Sequence, residues 1–483
     1  MRKKLTILII FVFMTILVPT TKVNASYNYT PWQSTIESAH SMSITRIINS
    51  VNLMNEDGEH AEITLDNLRD AFVYKDHLYV VDARANKVFV LNENYEYVKE
   101  YPQGEGELYD LNNPQGVFVA NDLLYIADTD NDRIAIYNIN TDNMIGQIKT
   151  PEDEIFETVP FKPQKIAVDR VGRIMVVSRD TFEGILEFDE NRKFTRFFGT
   201  NTIQLSFFEA LIYNLSSQSQ RERMALNLQT PFTSIDIDEY GYIYAVARNE
   251  LYKPVKKMNF KGEDILLNNG YIPIVGDTSY PTYRETVPLG PSTIIDITSH
   301  DDNNRFSILD SKRGRIFTYD MEGHLLYIFG GLDSQSNELQ GPTSITYWGE
   351  KVIVTDNIAK SIFIYEPTVF GDLVNRATTS YYNMQYEESR ELWEKVLELN
   401  SNYFLAYAGI GKTQLRNQEW EAAVENLKLG HDHYNYSKAY EQYRNEKISK
   451  YIPTIIVVVL VASAYGLFRS VRASIKRDKG EID

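Results

Sequence analysis

Apolar and polar residues alternate in four short stretches of this chain: HLYVV (77–81), LLYIA (123–127), RFSIL (305–309) and KVIVT (351–355). Each runs into a twelve-residue segment of common layout. These are VDARANKVFVLN (81–92), ADTDNDRIAIYN (127–138), LDSKRGRIFTYD (309–320) and TDNIAKSIFIYE (355–366). Each has an apolar or small residue, an Asp, a polar turn, a second alternating stretch and a polar stop. A further alternating stretch precedes each frame: LRDAFVY, PQGVFVA, STIIDIT or PTSITYW. A fourth, YEYVKEY, MIGQIK or HLLYIFG, follows most of them. Period-two alternation bounded by Gly, Asn and Asp is the signature of strands. Asp82 and Asp128 stand 46 residues apart, as do Asp310 and Asp356. An all-strand repeat of that period predicts the blades of a propeller.

Two weaker copies, at 163–199 and 231–265, bring the count to six blades. The sixth ends at Glu366-Pro367 without a fourth strand, whereas SITRIINSVNL (43–53) is a strand without a blade. We therefore expect Ile44–Leu53 to complete the last blade, which closes the ring and removes an exposed edge. The predicted fold is mainly β: a six-bladed propeller over 26–367.

The repeat bears on the chemistry of 127–138. Asp128, Asp130 and Asp132 alternate like the first ligands of a calcium loop. Such a loop needs Gly at its sixth position and Glu at its twelfth, where this chain has Arg133 and Ile139. Because Asp82, Asp310 and Asp356 recur at the place of Asp128, the reading is structural. A short acceptor after the second strand holds the turn by accepting backbone N–H groups.

Helical spacing replaces alternation in two places. Leu205, Phe208, Leu211, Ile212 and Leu215 predict a helical insertion at 201–229, over a mouth of the ring or along its side. The segment 266–290, with its Gly, Pro and Tyr residues, reads as a loop. After Pro367, Tyr386, Ser389 and Trp393 correspond to Trp420, Ala423 and Leu427, each 34 residues later. That period is similar to tetratricopeptide repeats. The pair is assigned to 368–447, with a third helix at 436–447 as its cap.

The P-x-G-V-x-V…LYIADTDNDRI pattern at 114–134 resembles NHL repeats. With YNYTPWQ near the start and EPTVFGDLVNRA leading into the helices, the chain resembles NHL-plus-tetratricopeptide proteins of Gram-positive cell surfaces. The resemblance implies a C-terminal membrane anchor and association with sugar ABC transporters. Some proteins of this kind carry a gluconolactonase label, which implies a divalent cation on the propeller axis held by Glu, Asp and Asn.

Composition fixes the setting. Arg2, Lys3 and Lys4, then Leu5–Val18, then Val23-Asn24-Ala25, read as a signal peptide over 1–25. Ile452–Phe468 is free of charge over 17 residues, at the short end of the roughly 17–25 that span a bilayer. Pro453 is expected near the first turn of that span. Arg469, Arg472, Lys476, Arg477 and Lys479 follow, and make 469–483 a basic cytoplasmic tail. The body is expected on the extracellular side of the cell membrane, as a single-pass protein. There is no Cys, which closes the lipoprotein route. The net charge of −17 argues against nucleic acid as a partner.

No G-x-S-x-G, phosphate loop or H-E-x-x-H occurs, and the seven His form no ligand spacing. We expect no catalytic residues and no cofactor, with a divalent cation only under the alternative reading as a lactonase-like hydrolase. The favoured function is a non-enzymatic, membrane-anchored binding scaffold. Its candidate partner site is the groove lined by the first helix of each repeat. Lys412 and Arg416 lie four apart on one face there, and Thr378 and Tyr382 occupy the matching places 34 residues earlier. An outward-facing part of a membrane neighbour, such as a transporter subunit, is the expected partner.

Overall fold

A computed structural model describes residues 26–54, 60–104, 106–199, 230–247, 253–278, 290–302, 304–332 and 338–478. The expected signal peptide and the helical insertion at 201–229 lie outside them.

The chain opens with a hairpin of β1 (Tyr27–Tyr29) and β2 (Thr35–Glu37), followed by β3 (Met42–Ile48) and a second hairpin of β4 (Ser50–Met54) and β5 (His60–Thr64). Blade one is β6 (Leu68–Tyr74), β7 (His77–Asp82), β8 (Lys87–Asn92) and β9 (Tyr97–Tyr101). Blade two is β10 (Pro114–Ala120), β11 (Leu123–Asp128), β12 (Arg133–Asn138) and β13 (Met144–Lys149). Blade three is β14 (Pro163–Val168), β15 (Ile174–Ser178), β16 (Ile185–Phe188) and β17 (Phe194–Phe198). Blade four has three strands: β18 (Phe232–Ile237), β19 (Ile243–Ala247) and β20 (Val255–Met258). Blade five is β21 (Ile294–Ser299), β22 (Arg305–Asp310), β23 (Arg315–Asp320) and β24 (Leu325–Gly330). Blade six is β25 (Pro342–Trp348), β26 (Lys351–Asp356) and β27 (Ser361–Pro367), completed by β3. The first strands β6, β10, β14, β18, β21 and β25 contact one another in that order and close into a ring.

The closing strand is the expected one with different limits. β3 pairs with β27 from Met42↔Pro367 to Ile48↔Ile362, so Ser50–Leu53 is not part of the sixth blade. The chain turns at Asn49, whose carbonyl accepts the Leu65 N–H at 3.1 Å, and β4 then pairs with β5. Alternation slips by one residue at the turn: Ile48 and Val51, three apart, both bury in the core between blades six and one. In blade four, the expected fourth strand shrinks to a bridge between Met258 and Asp264. Asp264 Oδ1 accepts the Leu266 N–H at 3.0 Å, and this local turn competes with further pairing along the edge.

The core is apolar packing between adjacent blades, continuous from blade five into the helices. Leu326, Tyr327 and Phe329 of β24 share a cluster with Trp393, Tyr403 and Ile410. The helices are α1 (Val369–Tyr382), α2 (Tyr386–Leu399), α3 (Phe404–Arg416), α4 (Trp420–Leu429) and α5 (His433–Asp478). Thr368 caps α1 by accepting the Gly371 N–H, and its own N–H bonds Ser41 O at 2.9 Å. Gly371 is required because a Cβ there would lie 1.9 Å from Ser41 O.

α5 is one 46-residue helix that includes the apolar segment and is long and apolar enough to cross a membrane. Pro453 therefore lies in its interior and not near a first turn. Among the described residues, the ion pair of α5 furthest along toward the apolar segment is Lys447 with Glu421, at 3.5 Å. At 1.5 Å per residue, Ile452 begins only about 8 Å further on.

Candidate functional site

The repeated turn aspartates do what their position predicted. Asp356 accepts four backbone N–H groups, from Gln340, Gly341, Ile358 and Ala359, at 2.7–2.9 Å. Asp82 accepts those of Asp66, Asn67, Arg84 and Ala85, at 2.8–3.2 Å. Each ties the turn after the second strand to the segment that enters the same blade. Asp128 accepts the Asn112 N–H and pairs with Arg133 Nε at 2.6 Å. Asp130 turns to Asn113 Nδ2 and Asp132 to Lys162, so the alternating carboxylates do not converge on one point. The weaker blades carry Ser178 and Ala247 at this place.

A different set of residues meets on the propeller axis. In every blade the first strand carries a bulge at its second residue, opposite the second strand. The residues just past it are Asp70, Gly116, Lys165, Ser234, Asp296 and Ser344. Lys165 of blade three reaches Asp70 of blade one at 2.6 Å and Asp296 of blade five at 3.2 Å. Ser234 of blade four donates its hydroxyl to Asp296. The remaining oxygens take backbone donors of the next blade: Asp70 accepts Val117 N–H at 3.0 Å, and Asp296 accepts Ile345 N–H at 2.8 Å. Gly116 belongs in this ring because a Cβ would lie 2.1 Å from Gln164 O of the next strand.

The electrostatics follow from burial. Asp70 is pushed up to about 6, by loss of water first, with Lys165 opposing. Asp236 of the same channel is also pushed up to about 6 by burial, while Ser299 bonds it through N–H and hydroxyl. Burial works against the Lys165 ammonium, but Asp296 and Asp70 outweigh it and hold its pKa above the ordinary value. A fixed cation thus pins three blades together on the axis.

Among the described residues, one other cluster offers three metal-type ligands: His300, Asp302 and Glu350. Two of its three members are already committed. His300 Nδ1 accepts the Asp302 N–H at 3.1 Å, so Nε2 carries the proton toward Gly349 O, also at 3.1 Å. Glu350 pairs with the fully buried Arg305 at 2.7 Å and accepts Asn375 Nδ2 at 2.9 Å. Burial, then the Arg305 charge, lower the His300 pKa to about 4. This network fastens blades five and six to α1, together with the 2.6 Å bond from Asn304 to Thr379.

The four groove residues lie where α1 and α3 face blade five. Thr378 is buried and donates to Val374 O at 2.8 Å. Tyr382 is packed against the β23–β24 turn, where loss of water and then Asp320 raise its pKa. Lys412 sits 3.5 Å from Glu322 of that turn, with its ammonium 5.5 Å from the Tyr381 ring centre. Arg416 stacks on Tyr386 at 4.0 Å. Thr378, Tyr382 and Lys412 line one small cavity with Asp320, Glu322 and His324. Lys412 and Arg416 also line a cleft of about 630 Å³ that reaches Tyr271, His431 and the first turn of α5. The chain's own propeller thus covers the Thr378–Tyr382 half of the groove and leaves the Arg416 half open.

No known protein family and no curated protein matches this sequence. Among solved structures, the chain is similar to a catalytically inactive virginiamycin B lyase from Staphylococcus aureus with quinupristin. The identity is 13%, the TM-score 0.41, and 72% of this chain and 96% of that one are covered. It is also similar to a protein of unknown function from Bacteroides thetaiotaomicron, at 15% identity and TM-score 0.43, covering 70% of this chain and 80% of that one. These are likenesses of fold alone. The fold and its sites define a six-bladed β-propeller with a fused helical region and one long apolar helix.

Proposed function

We propose that this protein is a non-enzymatic binding scaffold, tethered by α5 to the cell membrane with its body outside. The observation that carries the reading is Lys165. Its ammonium takes the axial place between Asp70 and Asp296 that a metal-dependent hydrolase would give to its cation. The carboxylates are neutralised from within, and their other oxygens already accept hydrogen bonds. The propeller then serves as a platform, and the helical pair, within a few turns of the span, offers the contact surface. The open end of the groove, with Arg416 on Tyr386 and the cleft beside α5, suits an acidic segment of a membrane neighbour. A transporter subunit is the neighbour that the family resemblance suggests.

Cross-linking in native membranes tests this reading. Arg416→Glu reverses the charge at the open end and leaves the Lys412–Glu322 contact intact. We expect it to remove at least one cross-linked membrane partner without lowering the melting temperature of the protein. An unchanged partner set would remove the groove from the account.

A further inference from the structure

The starts of the first strands mark the end of the ring opposite the helices, because Glu350, Asn304 and Glu322 contact α1 and α3 from the other end. Basic side chains at this far rim are satisfied. Lys162 pairs with Asp132 at 2.5 Å, Arg84 with Asp66 at 2.9 Å and Lys360 with Asp66 at 2.5 Å. Lys312 bonds Pro291 O at 3.1 Å.

Two arginines break the pattern. Arg69 is the bulged residue of β6, between Leu68 and the axial Asp70. Arg179 follows β15 directly, its backbone N–H held by Lys162 O at 2.8 Å. Neither guanidinium has a carboxylate among the described residues, and Arg69 Nε is buried without a hydrogen-bond partner. Arg69 adjoins Asp70, and Arg179 follows Ser178, the partner of Pro163 two residues before Lys165, so the 2.6 Å Lys165–Asp70 contact brings both arginines to one mouth. Burial, and then the positive charge of Arg179, lower the Arg69 pKa. The Lys165 bridge, anchored one residue further along β6 than Arg69, crosses the axis beneath this mouth.

A half-buried guanidinium whose charged neighbour is another guanidinium is unfavourable unless an anion sits with them. A guanidinium presents five N–H donors in a planar fork, which matches two oxygens of a carboxylate or phosphate. We propose that Arg69 and Arg179 form an oxyanion site at the far mouth of the channel, taking a small molecule by its carboxylate or phosphate group. The site is independent of the groove, and its test leaves the groove untouched.

The test uses the full chain in detergent micelles. Thermal unfolding and titration calorimetry are run with inorganic phosphate, with malonate and with chloride, at constant ionic strength. The site predicts a rise in melting temperature with phosphate or malonate and none with chloride. The responding anion identifies the group. Arg69→Met and Arg179→Met should each weaken that binding at least tenfold. Without anion, Arg69→Met should melt no lower than the parent, because it removes one of two like charges. Arg69→Lys, which keeps the charge and loses the fork, should bind between the two. If the parent responds to neither oxyanion, or if both Met variants bind as the parent does, the site is refuted. A lower anion-free melting temperature in Arg69→Met, with binding unchanged, would make the residue structural only. Should Arg69→Met fail to fold, Arg179→Met alone decides the matter.

Discussion

At the scale of single residues, position mattered more than type. The turn aspartates were legible because one residue type recurs at one place, and the structure gives them the backbone bonds that the turn requires. Asp310 accepts Thr293 and Lys312 N–H groups and the Ser292 hydroxyl, at 2.8–2.9 Å. Asp310→Ala should therefore cost roughly 3 kcal/mol, as buried donors lose a charged acceptor, and urea unfolding will measure it. A loss below about 1 kcal/mol would contradict the role. The axial residues were illegible for the opposite reason. Asp70, Gly116, Lys165, Ser234, Asp296 and Ser344 share a bulge and no chemistry. Only counting from the start of each first strand would have aligned them.

His300 gives a pH signature at the same scale. Its pKa falls from 6.5 to about 4 on folding, so the unfolded chain takes up the proton first. Its contribution to stability is full above pH 6.5 and is lost as pH falls toward 4. Asp70 and Asp236, raised to about 6, act in the opposite sense and gain stability as pH falls through that value. Comparing the parent with His300→Gln isolates the imidazole. Between about pH 7 and about pH 4, the parent should lose roughly 3 kcal/mol more than the variant. Parallel stability curves would show that His300 is not held neutral by its surroundings.

At the scale of elements, existence was easier to read than limits. Alternation marks a strand, and a slip in its phase marks where the strand changes partner: Ile44 and Ile48 keep one parity, Val51 and Leu53 the other. Hence Ile44–Leu53 divides at Asn49 into β3 and β4. The third helix of the repeats runs on toward the membrane as its sequence suggests, but Pro453 looks like the beginning of a separate span, whereas the helix enters it already formed from His433. The closure by β3 carries a prediction. Deleting Met42–Ile48 uncovers the long edge of β27 and removes Ile48 from the core between blades six and one. The deletion should lower the melting temperature by several degrees and promote self-association in light scattering. A deletion variant that stays monodisperse, with the parent's melting temperature, would show that the ring does not depend on this strand.

At the scale of the whole molecule, the two ends of the ring differ. One is fastened to the helices through Arg305, Glu350, Asn304 and Asn375, and lies on the side from which α5 departs. The other carries the turn aspartates and the two unpaired arginines. No sequence pattern announced the docking of blade five into the helical groove, since it arises from surfaces far apart in the chain. Between the two ends stands the Lys165 bridge, on which the proposed reading as a platform rests. The most direct measurement is the opening of sugar lactones by the full-length protein, with calcium, zinc or manganese and after chelation. A scaffold pinned by its own ammonium predicts rates equal to the uncatalysed reaction under all four conditions. A metal-dependent rate that disappears in Asp296→Asn would contradict it.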